Sequence, residues 1–151
     1  MGLFKYFKSL FVREAVVDYK KLVIAAVAVF FVYEFVDFTV HSLILAPTYM
    51  KMQNIWRADM MQKMWIMYIT ALVFSFTFVY IFAKGYEGKG IIEGVRFGAI
   101  ISLLMLLPGI FNQYVIYPVS YKLALTWFVF GVAQFVICGI VASLIYKPKK
   151  A

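Results

Sequence analysis

Three ionisable residues, Glu34, Asp37 and His41, interrupt the apolar stretch LVIAAVAVFFVYEFVDFTVHSLILAP between Leu22 and Pro47. At about 100° per residue they fall within about 60° of one another on a helix, one polar stripe on an otherwise apolar cylinder. Carboxylates and an imidazole in that register can pass a proton, hold a cation or satisfy one another. On a helix over 22–46, Glu34 lies about 18 Å from either end, at ~1.5 Å per residue. Ionisable groups at such depth in a bilayer are costly, and they face a protein interior or a water-filled cavity. The remaining apolar stretches carry no acid, base or histidine in their middles. Glu34 therefore has no ready counter-ion unless His41 or a second protein copy supplies one.

A partner at the same depth comes from the last apolar stretch, where Gly131, Gln134, Cys138 and Ala142 share a helical face. Small residues with one amide are the usual composition of a tight contact between membrane helices. This predicts Gln134 against Glu34, with Thr70 and Thr77 on the same inner side. Two readings stay open. The polar groups satisfy one another and set the packing, or they form a proton path or a ligand site.

Metal chemistry has two candidates. The spacing Glu-x-x-Asp-x-x-x-His places three ligand types on one face, but carboxylate-bridged metal bundles draw acids from several helices together with Glu-x-x-His pairs. The other stretches offer none, so a single chain lacks the set, and a homo-oligomer would have to bring several stripes together. The second candidate is thioether-based. Six of the eight methionines lie between residues 50 and 67, and Met60, Met64 and Met67 share a face that with His41 would suit a soft ion such as Cu(I). The Met60-x-x-x-Met64 element resembles part of the signature of copper-transporter membrane helices, without the glycine motif that accompanies it there. The competing reading is that methionine, being pliable, shapes a protein contact surface.

The elements that would position these groups are long apolar helices. Of the 151 residues 65% are hydrophobic and 20% aromatic, with a mean hydropathy of +0.89. The excess over soluble domains sits in blocks of about twenty residues, the length that spans a bilayer. Four spans are expected, at about 22–46, 64–83, 95–118 and 121–146. Pro47 closes the first, and Pro108-Gly109 predicts a kink or local unwinding in the third. Residues 1–21 alternate basic and apolar side chains, as in an amphipathic helix lying on a membrane surface. The expected fold is therefore all-α: an integral membrane four-helix bundle with an N-terminal amphipathic helix, in a single domain over 1–151.

Charge and composition exclude several function classes. The net charge of +8 comes from basic residues at the ends of apolar blocks, where they act as topology signals and contacts to anionic lipid rather than to nucleic acid. Eleven of the fifteen Lys and Arg fall on the side of the two termini and the 84–96 connection, and four on the other. The positive-inside rule then puts both termini in the cytoplasm. The lone Cys138 permits neither an internal disulfide nor a CxxC site.

The link KGYEGKGIIEG and the following VRFG superficially suggest phosphate binding. The order and spacing match neither GxGxxG nor a Walker sequence, and a Glu93–Arg96 pair at i,i+3 opening the third span is the simple reading. With the His41-bearing first span and Trp56-Arg57, this link resembles a group of small four-span bacterial inner-membrane proteins. That resemblance implies a bacterial inner-membrane location and no mechanism.

No nucleophile–base pair, cofactor motif or complete metal set is present, so no cofactor and no catalysis are expected. The expectation is an accessory or scaffold subunit of a larger bacterial membrane complex, in contact with lipid and with other subunits or further copies of itself. The alternative is a small transporter or permeation subunit that handles protons or Cu(I) through Glu34, Asp37, His41 and the methionine cluster.

Overall fold

The computed structural model describes residues 17–148, so the surface helix expected over 1–21 lies almost wholly outside the described residues. Asp18 caps the first helix, its side chain accepting from the Lys21 N–H at 3.1 Å. Helix α1 (Tyr19–Phe38) runs on as a π-helical segment, Thr39–Ile44. A short α2 (Ala46–Met50) and a 3-10 turn, Gln53–Ile55, follow. The long helices α3 (Met60–Lys84), α4 (Ile91–Ile116) and α5 (Tyr121–Ile145) complete an all-helical chain, with no strand among the described residues.

Four segments, Tyr19–Ile44, Met60–Lys84, Ile91–Ile116 and Tyr121–Ile145, are long and apolar enough to cross a membrane. Small residues line many of the helix contacts, beside a core of Phe78, Phe82, Phe135 and Tyr146. The inward faces carry Ala25, Ala26, Ser75, Ser102, Cys138 and Ala142, all but fully buried, while Phe31, Phe35, Leu104 and Val115 point outward. Small residues let helices approach closely where no water drives them together, and large side chains meet the apolar surroundings. The buried serines satisfy their hydroxyls locally: Ser75 donates to the Ala71 carbonyl at 2.8 Å and Ser102 to that of Ala99 at 2.7 Å.

Helix α1 is central, packed against α3 on one side and α5 on the other, and α4 packs on α5. The α4–α5 contact is the tightest. A Cβ placed on Gly139 would lie 3.1 Å from the Gly98 nitrogen and closer still to the Gly94 carbonyl, and one on Gly98 would lie 2.7 Å from the Val136 Cα. Gly94-x-x-x-Gly98 is thus a small-residue helix contact of the GxxxG kind. Helices α3 and α4, though consecutive, meet mainly through rings: Phe97 lies 4.7 Å from Phe78 and 5.3 Å from Phe82, centroid to centroid. At this same end the Asp18 N–H donates to the Tyr146 hydroxyl at 3.2 Å, joining the start of α1 to the end of α5.

Two expectations need correction. Helix α4 shows no local unwinding at Pro108-Gly109 and stays α-helical through both, because proline removes one backbone donor and the flanking turns keep theirs. The departure from α geometry lies instead at Thr39–Ile44, where the Leu45 N–H reaches back five residues to the Val40 carbonyl at 2.9 Å. Nor does Glu93 pair with Arg96. The buried Glu93 carboxylate accepts from the Glu87 and Lys89 N–H groups at 2.6 and 2.8 Å, organising a link whose Gly88 adopts φ +77°. Arg96 binds Glu87 at 2.5 Å instead. Lys89 and Arg96 together hold the Glu87 carboxyl below the usual carboxylate range.

Substitution of Gly139 by Val is expected to destabilise the α4–α5 pair by about 1–3 kcal/mol through overpacking. Gly109→Ala, where nothing lies within 4 Å of the added methyl, is expected to stabilise the helix by about 0.5–1 kcal/mol. Equilibrium unfolding in mixed micelles checks both, and equal effects of the two changes would refute the close-contact assignment.

Candidate functional site

The stripe on α1 divides into two sites. Glu34 and Asp37 line a partly open cleft of about 380 Å³ between α3 and α4, floored by α1 and Phe135 of α5. The segment Tyr19–Ile44 places Glu34 about 4 Å and Asp37 about 8 Å beyond its midpoint, at ~1.5 Å per residue. Opposite the acids, α3 contributes Met64, Met67, Tyr68 and Thr70, and α4 contributes Met105 and Leu106. The cleft exists because α4 is held to α5 and α1 is held to α3. The two outer helices therefore part toward the end of the molecule that carries Tyr49.

Gln134 reaches α1, but not at Glu34. Its side-chain N–H donates to the Tyr33 backbone carbonyl at 3.0 Å, while the Glu34 carboxyl points into the cleft. A helix carbonyl already engaged in its own ladder has a second lone pair to offer, and this bond ties α5 to α1 without touching the acid. Thr70 and Thr77, expected on the inner side, are both exposed, Thr70 at the cleft; both donate to carbonyls of their own helix, at 2.8 and 2.9 Å. Gly131 faces Leu106.

His41 belongs to the second site. The π-helical segment sets it beside Tyr49 of α2, its Nδ1 2.5 Å from the Tyr49 hydroxyl with the rings stacked at 11°. The Trp127 indole of α5 donates to that same hydroxyl at 2.7 Å. An indole N–H can only donate, so the hydroxyl accepts from Trp127; we assign its own proton to His41 Nδ1, the pairing that uses the hydroxyl as both donor and acceptor. This places the imidazole proton of neutral His41 on Nε2, 3.8 Å from the Asp37 carboxylate. Trp56 closes over Tyr49 edge-on at 5.4 Å, above a small apolar cluster of Val40, Leu45 and Leu123. Burial pushes the Tyr49 phenol up to about 12, partly opposed by the Trp127 hydrogen bond.

Of the methionines singled out with His41 as soft ligands, Met64 and Met67 line the cleft. Met60, at the start of α3, and His41 are not among its lining residues. Among the described residues no three His, Cys, Asp or Glu side chains converge as a metal-ligating group. The Tyr49–Trp127 pair was not anticipated, and only the aromatic content around Pro47 hinted at it. The Arg57–Asp59–Lys63 ion cluster beside it lies at the surface; Arg57 and Lys63 hold the Asp59 carboxyl below its usual range.

The raised phenol ties the second site to pH. A folded-state value above the free one stabilises the fold fully below pH 10, and that contribution is lost as pH rises to about 12. The fluorescence of Trp127 and Trp56 is therefore expected to change across pH 10–12 before global unfolding, and Tyr49→Phe is expected to abolish that step. Nitrogen chemical shifts should show the neutral His41 protonated at Nε2 in the native chain, with the tautomer preference weakened in Tyr49→Phe. Protonation at Nδ1 in the native chain would refute the assignment.

Comparison with protein families, with curated proteins and with solved structures finds no match to this chain.

Proposed function

We propose that this chain is a non-catalytic, multi-pass subunit of a larger assembly in a bacterial inner membrane, with both termini in the cytoplasm. The observation that carries the reading is the cleft. Two carboxylates near the middle of an apolar helix face a lateral opening, and among the described residues Glu34 has no ion-pair or hydrogen-bond partner. A subunit completes such a surface with a neighbour. The excess of Lys and Arg at the end shared by Asp18, the 85–90 link and Tyr146 supports the orientation. The resemblance carried by that link supports the bacterial inner membrane.

The test is mass spectrometry of the intact complex, purified gently in mild detergent through a tag on this chain. Unlike subunits in fixed stoichiometry are expected; a lone chain or a homo-oligomer would sink the reading.

A second reading has its own observation, the convergence of Met64 and Met67 with Glu34 and Asp37 in one cleft. Thioethers and carboxylates together suit a permeating cation, either a proton or Cu(I). That reading requires flux through the purified chain in liposomes, lost in Glu34→Gln, whereas a subunit shows no flux on its own.

A further inference from the structure

Building on the subunit reading, we propose that the cleft between α3 and α4 receives a membrane-spanning helix of an unlike chain, whose Lys or Arg side chain pairs with Glu34 and Asp37. The argument is one of charge. Two acids three residues apart on α1 line the same cavity. The nearest base, His41, is turned toward Tyr49 and Trp127, and it presents only its Nε2 to Asp37 at 3.8 Å. Carboxylates at this depth are stable when a cation or hydrogen-bond donors meet them.

The membrane-spanning segments of a second copy bring no cation to the depth of Glu34. No Lys or Arg lies between residues 22 and 50, 64 and 83, 97 and 121, or 123 and 146. Two like copies facing each other across their clefts would therefore bring carboxylate against carboxylate. An unlike helix with a basic residue at matching depth removes the conflict. Its side chain has room in a cleft of about 380 Å³. Met67 and Met105, half or more exposed at the mouth, are pliable surfaces against which a neighbouring helix can settle. The long basic side chain also brings its own apolar stem, which suits walls made of Phe38, Phe74 and Leu106.

The experiment places a photo-crosslinking amino acid at Met67, at Met105 or at Leu104, which is exposed on α4 outside the cleft lining, in the full chain in native membranes. The expected result is that the two cleft positions capture one unlike chain, the same one found by intact-complex mass spectrometry. Its crosslinked peptide should be an apolar span containing Lys or Arg, and Leu104 should not capture that span. The double variant Glu34→Gln, Asp37→Asn is expected to lower the partner recovered per chain by about tenfold or more, as for a severed buried charge pair. Reversing both signs, with Glu34→Lys here and Lys or Arg→Glu in the partner span, should restore recovery, which a merely misfolded variant would not do.

Capture of a second copy, of lipid alone, or of a span without a basic residue would overturn the proposal. So would full recovery of the partner by the double variant. If unlike subunits co-purify but crosslink only at Leu104, the cleft assignment fails and the subunit reading stands. If no unlike subunit co-purifies, both fail.

Discussion

The close approach of α4 to α5 at Gly94, Gly98 and Gly139 determines the arrangement of everything else. Without side chains at those positions the two backbones meet, and α4 commits its small-residue face to α5. Helix α1 commits Ala25, Ala26 and Val29 to the core it shares with α3 and α5. No small-residue face is left for α3 to meet α4, and the two meet mainly through Phe78, Phe82 and Phe97 at one end. Bulky rings act as a spacer there. The cleft at the other end is the geometric remainder, and the acids of α1 look into it because α1 lies behind both helices.

The π-helical segment separates two polar systems that a straight helix would have merged. Asp37 and His41, four residues apart, would share a face on an ideal α-helix. The π-helical segment begins between them, and His41 is engaged by the hydroxyl of Tyr49 while Asp37 stays with the cleft. The Tyr49–Trp127 bond in turn holds α2 to α5. A proton relay from the cleft through His41 would end at the Trp127 indole, which has a donor and no acceptor. The geometry therefore suits a tether that keeps this end of the bundle closed, and it leaves Glu34 without an internal base.

Much of this was legible in the sequence. The four apolar segments follow from hydropathy and length, and the structure moves their ends by four residues at most. The inward face of the last helix, with Gln134, Cys138 and Ala142, follows from helical spacing. What escaped was set by contacts between distant residues. Gln134 bonds a backbone carbonyl beside Glu34, and side-chain type alone could not distinguish that carbonyl from the acid. Glu93 and Arg96 stand three apart, yet two loop amides compete for Glu93 and Glu87 takes Arg96. Pro108 suggested a break that the neighbouring turns absorb, while the π-helical segment carries no residue that marks it. Gly94-x-x-x-Gly98 was readable and signals the tightest contact in the molecule.

The way polar groups are satisfied inside this bundle explains why the cleft bears on function. In this bundle small or hydroxyl-bearing residues line the helix contacts beside buried rings such as Phe78, Phe82 and Tyr146, and many other large apolar side chains face outward, so an exposed Phe or Leu is ordinary and an exposed carboxylate at mid-helix is not. The buried serines, Thr39, Thr70 and Thr77 all satisfy themselves on their own helices, as polar groups in an apolar setting must. Glu93, the fully enclosed acid, has two backbone donors. Glu34 and Asp37 depart from that pattern. Asp37 meets only His41 Nε2, at 3.8 Å, Glu34 meets no ion-pair or hydrogen-bond partner among the described residues, and both face the side from which a partner can come.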